Sequence, residues 1–154
     1  MTKYFYSYEE FKKDLPILAK KIKNYNPDAL ISIARGGMTI GHFLGENLDM
    51  RNVYTINAKH YDDTTKLKEV KLFNFPNLEN HEKIVLVDDI SDSGDTLEAI
   101  IKVLKKDYPN LDIKVATIFY KKNTKVMPNF YIKETNEWIV FFWDNKGQKI
   151  ALTL

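Results

Sequence analysis

Apolar positions recur along most of this chain, either with the period of a helix or as the short runs of a buried strand. Helical spacing predicts helices over residues 7–24, 38–48 and 97–106. Runs of apolar and β-branched residues predict strands at 29–33, 53–58, 84–87 and 113–119. Segments 130–132 and 138–143 are rich in aromatic and β-branched residues and also favour strands.

The first predicted helix carries a start signal and, further along, a helix-breaking residue. Ser7 is a typical N-cap residue, and Glu10 three positions later completes the pattern of a capping box. Pro16 lies inside the apolar period and predicts either a kink or a helix that begins near Leu15.

The order of the predicted elements indicates the fold class. Strand–helix alternation implies an α/β fold with a mainly parallel, twisted sheet flanked by helices. The length of 154 residues suits a single domain, 1–154. Such sheets bind ligands at the carboxyl ends of their strands. Three predicted strands end at residues that could serve chemistry: Arg35-Gly36-Gly37, Asp88-Asp89 and Lys121.

Composition and charge exclude several classes of function. The chain has no cysteine, which excludes disulfides, thiol nucleophiles and thiolate metal sites. A formal net charge of +2 gives no global electrostatic reason to expect nucleic-acid or membrane binding. No apolar run approaches the roughly 18 residues of a membrane span, and no signal-peptide pattern opens the chain, so we expect a cytoplasmic protein. The histidines lack metal-ligand spacing and are interpreted as surface or packing residues: His42, His60 and His81.

The stretch 84–96 carries most of the chemical information. An apolar strand leads into Asp88 and Asp89, and a turn rich in hydroxyl, glycine and acidic residues precedes the helical pattern at Leu97. Gly94 permits a left-handed conformation, and the N–H groups at the helix start attract anions. Two adjacent carboxylates repel each other, and a divalent metal or sugar hydroxyls would explain their presence. The stretch therefore predicts a phosphate site with carboxylates at its entrance.

Residues 85–96 also resemble the signature for 5-phosphoribosyl-1-pyrophosphate (PRPP) of the type I phosphoribosyltransferases. In that signature an apolar strand is followed by two acids, two variable residues, Asp, Thr or Ser, Gly, any residue and Thr. Ser93 stands where Thr is more usual. The resemblance implies that Asp88 and Asp89 take part in catalysis, facing the ribose hydroxyls and the Mg²⁺ that accompanies PRPP. It implies that Asp92 lies beside N7 of a purine as the general base. The PRPP 5′-phosphate would be held by Ser91, Asp92, Ser93, Gly94, Asp95 and Thr96.

Two further segments are similar to parts of this family. Arg35-Gly36-Gly37 resembles the pyrophosphate loop, where Arg35 and the loop N–H groups would neutralise the leaving pyrophosphate and a non-proline cis peptide bond is frequent. The polar run 59–71 resembles the mobile hood that closes over the site, with Lys66 or Lys68 reaching the pyrophosphate. His60-Tyr61 departs from the Ser-Tyr of many members.

The C-terminal segment 120–154 resembles the purine-recognition segment of the family. The spacing of Trp138, Trp143 and Asp144 is similar to that in bacterial xanthine–guanine phosphoribosyltransferases. Lys121 corresponds to the lysine that donates to the purine 6-oxo group. Trp138 corresponds to the aromatic residue that stacks on the purine, and the backbone of Ile139 would meet the purine edge. Asp144 would lie near the exocyclic 2-position.

The resemblance implies a purine-salvage enzyme. It would convert guanine, xanthine or hypoxanthine plus PRPP, with Mg²⁺, to the nucleoside 5′-monophosphate and pyrophosphate, as a homodimer or homotetramer. A regulatory protein that keeps the fold, senses PRPP or nucleotides and binds nucleic acid is the alternative. Low net charge and the pair Lys121 and Trp138 disfavour it, and the same pair disfavours an orotate or uracil transferase. The choice among the three purines stays open, because one hydrogen bond at the 2-position separates them.

Overall fold

A six-stranded sheet forms the centre of the molecule. The computed structural model describes residues 1–61 and 69–144. In chain order these residues form β1 (Lys3–Tyr6), α1 (Tyr8–Lys23), β2 (Ala29–Ala34), α2 (Gly36–Asn47), β3 (Val53–Tyr61), β4 (Glu69–Phe73), β5 (Lys83–Ser91), α3 (Asp95–Asp107), β6 (Asp112–Tyr120), β7 (Lys133–Glu134) and β8 (Trp138–Phe141).

The strand order of the central sheet is β4–β3–β2–β5–β6–β7. Each neighbouring pair is parallel except β3 and β4, which are antiparallel. β1 and β8 pair in parallel as a separate two-stranded sheet. The predicted α/β fold with a mainly parallel sheet is confirmed.

Alternate residues of β5 enter two hydrophobic clusters, one on each side of the sheet. Val85 and Val87 pack with residues of α1 and α2, whereas Ile84 and Leu86 pack with residues of α3. All four side chains are fully buried. Because helices cover both faces, ligands reach the sheet at the carboxyl ends of its strands. No helix in the described ranges is long and apolar enough to cross a membrane.

α1 begins at Tyr8 and continues through Pro16. The Glu10 N–H donates to the Ser7 hydroxyl at 3.1 Å, and the Ser7 N–H donates to the Glu10 carboxylate at 2.9 Å, which confirms the capping box. The alternative start near Leu15 is therefore wrong. Burial of apolar side chains before and after the proline holds the helix together despite the missing N–H: Phe11, Leu15, Leu18 and Ile22.

β3 and β4 form a hairpin within the stretch 59–71, where a mobile hood is expected. Residues 59–61 belong to β3 and 69–71 to β4, with Lys59 opposite Lys71. These six positions are strand despite their polar composition, because cross-strand pairing overrides it. The middle of the expected hood, 62–68 with Lys66 and Lys68, lies outside the described residues.

Other strand boundaries also differ from the prediction. β5 continues four residues past Val87, because β6 pairs with it as far as Ser91 opposite Tyr120. In segment 130–132, Phe130 makes one isolated bridge, and β7 begins only at residue 133. The apolar pattern does not predict β1 or β4, because both are short and partly exposed.

α2 packs closely on the sheet through glycines spaced four residues apart. It begins at Gly36, two residues earlier than predicted, so Gly36 and Gly37 form a helix start and not an irregular loop. A Cβ atom at Gly37 would overlap the carbonyl oxygen of Val87, and one at Gly41 would overlap the Ser32 hydroxyl. Because these glycines have no side chain, α2 can approach the backbone of β5, and the N-terminus of α2 lies at the edge of the sheet.

We expect Gly37→Ala to lower the free energy of unfolding by about 1–3 kcal/mol, the usual cost of an overpacked contact. The atom that meets the new methyl group is backbone and cannot rotate away. Urea denaturation followed by circular dichroism measures the change. Glu46→Ala, exposed on the same helix, is the matched control and should change this free energy by less than about 0.5 kcal/mol. Equal stability of the Gly37→Ala variant and the wild-type chain would contradict the close packing.

Candidate active site

Two cavities adjoin at the carboxyl edge of the central sheet. The first, of about 170 Å³, surrounds the start of α3 and is lined by His60, Asp88, Ile90 and residues 91–97. The second, also of about 170 Å³, is lined by Asp89, Ile90, Asp92, Lys121, Glu137, Trp138, Ile139, Phe141 and Asp144. Ile90 and Asp92 line both cavities, so a ligand with two parts can occupy both and meet Asp92 at the junction.

Asp88 and Asp89 lie near the end of β5 and line different cavities, as the alternation of a strand requires. Burial, and then the neighbouring charge of Asp89, raise the pKa of Asp88 well above its usual range. Burial raises the pKa of Asp89 to about 6, and the charge of Asp144 adds to the increase. Neither carboxylate forms a salt bridge with a residue that the structure describes.

These two carboxylates suit a divalent metal that a substrate also coordinates. In residues 1–61 and 69–144, no group of three or more histidine, aspartate or glutamate side chains could hold a metal. Mg²⁺ commonly takes one or two protein carboxylates and completes its shell with water and substrate phosphates. Because burial disfavours the ionised forms of Asp88 and Asp89, a cation beside them would be stabilising. The residues present therefore fit Mg²⁺ bound jointly with a phosphorylated ligand.

The N-terminus of α2 lies beside Asp89. A Cβ atom at Gly36 would overlap the Asp89 carboxylate, so the missing side chain allows this approach. Arg35 is the exposed N-cap residue of α2, and the Ala34–Arg35 peptide bond is cis, which agrees with the resemblance to the pyrophosphate loop. The positive end of the helix dipole and the Arg35 cation thus make this corner suitable for an anion.

The turn between β5 and α3 has the conformation of an anion-binding loop. Gly94, the N-cap of α3, has a φ of 83°, in the left-handed region that favours glycine. The Asp95 N–H donates to the Ser93 hydroxyl at 3.2 Å, and that hydroxyl retains its own proton for a ligand. N–H groups of the first helical turn have no partner inside the helix and attract phosphate.

A second loop, residues 121–126 after β6, supports this turn from outside. The Lys121 N–H donates to the Ser91 carbonyl oxygen, and the Lys125 N–H donates to the Ser93 carbonyl oxygen, both at 2.9 Å. A Cβ atom at Gly94 would lie against Thr124. Glycine at this position therefore allows both the positive φ angle and the close contact between the two loops.

Ser91 differs from the other loop residues that we expected to hold the phosphate. Its side chain is buried, with Oγ 2.7 Å from Thr124 Oγ1, and it donates to the Val126 carbonyl oxygen at 2.7 Å. The Ser91 hydroxyl therefore ties the loop to segment 121–126. Ser91 still lines the cavity, and its contact with the phosphate stays a prediction. The sequence gives no local signal for Thr124, because the contact depends on how β6 ends beside β5.

The second cavity contains the residues expected to bind a purine. Lys121 Nζ lies 3.1 Å from Asp92 Oδ1. Trp138 is 52% exposed, so it is available for stacking and is not a core tryptophan, whereas the adjacent Ile139 is buried. Asp144 accepts a hydrogen bond from the Phe141 N–H at 3.0 Å, which fixes its carboxylate near the cavity. The structure thus brings together five residues that lie as much as 52 positions apart in the sequence.

Residues 5–148 match the family model described as the phosphoribosyl transferase domain. This chain belongs to the phosphoribosyltransferase family. It is therefore a pentosyltransferase, an enzyme that transfers a phosphorylated ribose. The expected family is confirmed.

Individual relatives of this phosphoribosyltransferase cover nearly its whole length. It is 31% identical over 148 residues to the xanthine-guanine phosphoribosyltransferase of Cereibacter sphaeroides, covering 90% of this chain and 84% of the relative. The solved xanthine-guanine-hypoxanthine phosphoribosyltransferase of Helicobacter pylori is 40% identical with a TM-score of 0.86, covering 94% of this chain and 95% of that one. The solved purine phosphoribosyltransferase of Pyrococcus horikoshii is 32% identical with a TM-score of 0.83, at the same coverages.

Two polar side chains at the site of this phosphoribosyltransferase were not expected there. Glu137 lines the cavity that contains Trp138. His60, interpreted from sequence as a surface or packing residue, lines the other cavity, and its Nε2 lies 2.9 Å from Thr96 Oγ1. The only sequence signal for His60 is its departure from the Ser-Tyr pair common in the family.

Proposed function

We propose that this phosphoribosyltransferase acts in purine salvage and transfers the ribose 5-phosphate of PRPP to N9 of guanine, xanthine or hypoxanthine. The observation that supports this most is the pair of adjoining cavities, one at a phosphate-type loop and one beside an exposed tryptophan. The bond between C1′ and the pyrophosphate oxygen breaks with its electron pair on the oxygen, and N9 forms a bond to C1′. Pyrophosphate and the nucleoside 5′-monophosphate are the products.

Asp92 and Lys121 suit the edge of a 6-oxopurine on which O6 and N7 are neighbours. Lys121 donates a hydrogen bond to O6, and Asp92 accepts the N7 proton as the base becomes a nucleophile. The 3.1 Å between Lys121 Nζ and Asp92 Oδ1 places the two groups close enough to reach adjacent ligand atoms. A pyrimidine base offers no counterpart of N7, so the pair favours a purine acceptor.

Asp88 and Asp89 would hold Mg²⁺ together with oxygen atoms of PRPP, and bound Mg²⁺ would supply neutralisation of the leaving pyrophosphate. Arg35 and the first N–H groups of α2, including that of Gly37, stabilise the same negative charge. The loop from Ser93 to Thr96 holds the 5′-phosphate through N–H and hydroxyl donors. The donor is thereby fixed at both of its charged ends, which aligns C1′ with the purine.

We expect Trp138→Ala to raise KM for guanine by about tenfold or more, because base–aromatic stacking contributes roughly 1–3 kcal/mol. KM for PRPP should stay nearly unchanged, since Trp138 does not line the cavity at the phosphate loop. Steady-state kinetics with each substrate varied in turn measures both constants.

The matched control for this prediction is Trp138→Phe, which keeps an aromatic face and should retain most of the affinity for guanine. An unchanged KM for guanine in the Trp138→Ala variant would contradict stacking and leave Trp138 without a role in the site.

A further inference from the structure

The strand β3 extends past its neighbour β2 at the edge of the sheet where the cavities lie. Pairing with β2 ends at Ala34 opposite Asn57, whereas β3 continues to Tyr61 with β4 as its pairing partner. The last four residues of β3 therefore stand above the carboxyl edge of the central strands. They lead directly into the stretch expected to form the hood.

Strand alternation directs His60 towards the start of α3. Ile56 is buried in the cluster that contains residues of α3, and Ala58 packs against the same cluster. Residues two apart on a strand point to the same side, so His60 is the next side chain on that side. Its Nε2 lies 2.9 Å from the hydroxyl of Thr96, the second residue of α3. Both side chains line the cavity at the phosphate loop.

Carboxylates surround this cavity, so a phosphate bound in it would be stabilised by each additional hydrogen-bond donor. Lys125 Nζ lies 2.7 Å from an Asp95 carboxylate oxygen, and Lys121 pairs with Asp92, so carboxylates already engage two of the three lysines of the supporting loop. The third, Lys122, does not line the cavity. Asp88 contributes a further carboxylate to the cavity lining. A phosphate dianion here depends on hydrogen-bond donors. An imidazole N–H is a suitable donor to a phosphate oxygen, because hydrogen bonds to ionised groups are stronger than those between neutral groups.

We propose that His60 binds the 5′-phosphate of PRPP and of the nucleotide product together with Thr96. The identity of this ligand rests on the proposed function. The Nε2–H of His60 donates to a phosphate oxygen next to the one that the Thr96 hydroxyl contacts. Because His60 sits on the strand that enters the expected hood, this contact ties that strand to the 5′-phosphate of the ligand and not only to the pyrophosphate.

The test compares ligands that differ only in the phosphate, GMP and guanosine, by isothermal titration calorimetry. We expect His60→Leu to weaken GMP binding by roughly tenfold or more, the effect of losing a hydrogen bond to a charged group, and to leave guanosine binding unchanged. His60→Gln keeps a donor near the Nε2 position and should restore most of the affinity for GMP. His42→Leu, the same exchange at an exposed histidine on α2, is the matched control and should change neither affinity.

Equal weakening of GMP and guanosine, or unchanged GMP binding, in the His60→Leu variant would overturn the assignment. Ribose 5-phosphate separates this outcome from failure of the proposed function, because it carries the phosphate without a purine. If the protein makes no nucleotide but binds ribose 5-phosphate in a way that requires His60, the His60 contact is supported and the proposed purine reaction is rejected. If the protein makes nucleotide and His60→Leu does not change the binding of ribose 5-phosphate, only the His60 contact is rejected. A wild-type chain that binds neither GMP nor ribose 5-phosphate would overturn both.

Discussion

We expect Asp92→Asn to lower kcat by about 10²–10⁴-fold, the usual contribution of a positioned general base. Asp92 lies at the junction of the two cavities and 3.1 Å from Lys121 Nζ. The proposed reaction requires the N7 edge of the purine to lie at this junction. The asparagine amide has nearly the same shape as the carboxylate, so it fills the site without being able to accept the purine proton. The loss therefore falls on the chemical step, and PRPP binding changes little.

Single-turnover kinetics with the purine in excess separates this step from product release. Asp107→Asn, at the exposed end of α3, is the control and should keep full turnover. Unchanged turnover in the Asp92→Asn variant would remove Asp92 from the mechanism. A large increase in KM for PRPP with normal kcat would assign it to donor binding instead.

Asp89→Asn is the second substitution with a large expected effect. We expect it to remove most of the activity, because Asp89 is proposed to hold Mg²⁺, and at the same time to stabilise the fold. The pKa of Asp89 is raised to about 6 by burial and by the charge of Asp144. In the metal-free protein at neutral pH, the folded state therefore carries an unfavourable charge. Asparagine removes that charge and keeps an oxygen that can accept from the Ile90 N–H, which donates to Asp89 Oδ1 at 2.7 Å. The expected gain in unfolding free energy at pH 8 is about 1–3 kcal/mol.

The pH dependence of that gain has a defined sign. Because the pKa of Asp89 is higher in the folded chain than the ordinary value of 3.8, the folded state holds the Asp89 proton more tightly. The stability of the wild-type chain therefore falls as pH rises towards about 6. The difference between Asp89→Asn and wild type should therefore be full above about pH 6 and disappear near pH 4. Urea denaturation in EDTA at pH 8, 6 and 4 measures it. A variant less stable than wild type at pH 8 would contradict a destabilising carboxylate.

The parts of the site that lie close together in the sequence could be predicted from it. Asp88, Asp89 and the turn to Thr96 fall within one strand–turn–helix unit, whose hydroxyl, glycine and acidic residues specify their own conformation. The capping box of α1 is local in the same way, and Ser7 and Glu10 meet as the pattern requires. Such features need no knowledge of how distant strands pair.

The parts that depend on packing between distant elements could not be predicted. Gly36 and Gly37 suggest a loop by composition, and only the approach of α2 to β5 shows that they begin a helix. His60 reaches Thr96 because β3 extends past β2, a register that polar composition does not encode. Thr124 supports the phosphate loop through a contact with Ser91, 33 positions away. Alternation and propensity specify elements, whereas these contacts depend on the relative lengths of neighbouring strands.

The most direct measurement of the central claim is the conversion of a free purine to its nucleotide by the purified protein. Guanine, PRPP and Mg²⁺ are supplied together in one reaction, and each is left out in turn in three others. GMP and pyrophosphate are quantified by chromatography. We expect equimolar GMP and pyrophosphate only when all three are present, and loss of both products on addition of EDTA. Formation of no nucleotide from guanine, xanthine or hypoxanthine, or formation of nucleotide from orotate or uracil instead, would contradict it.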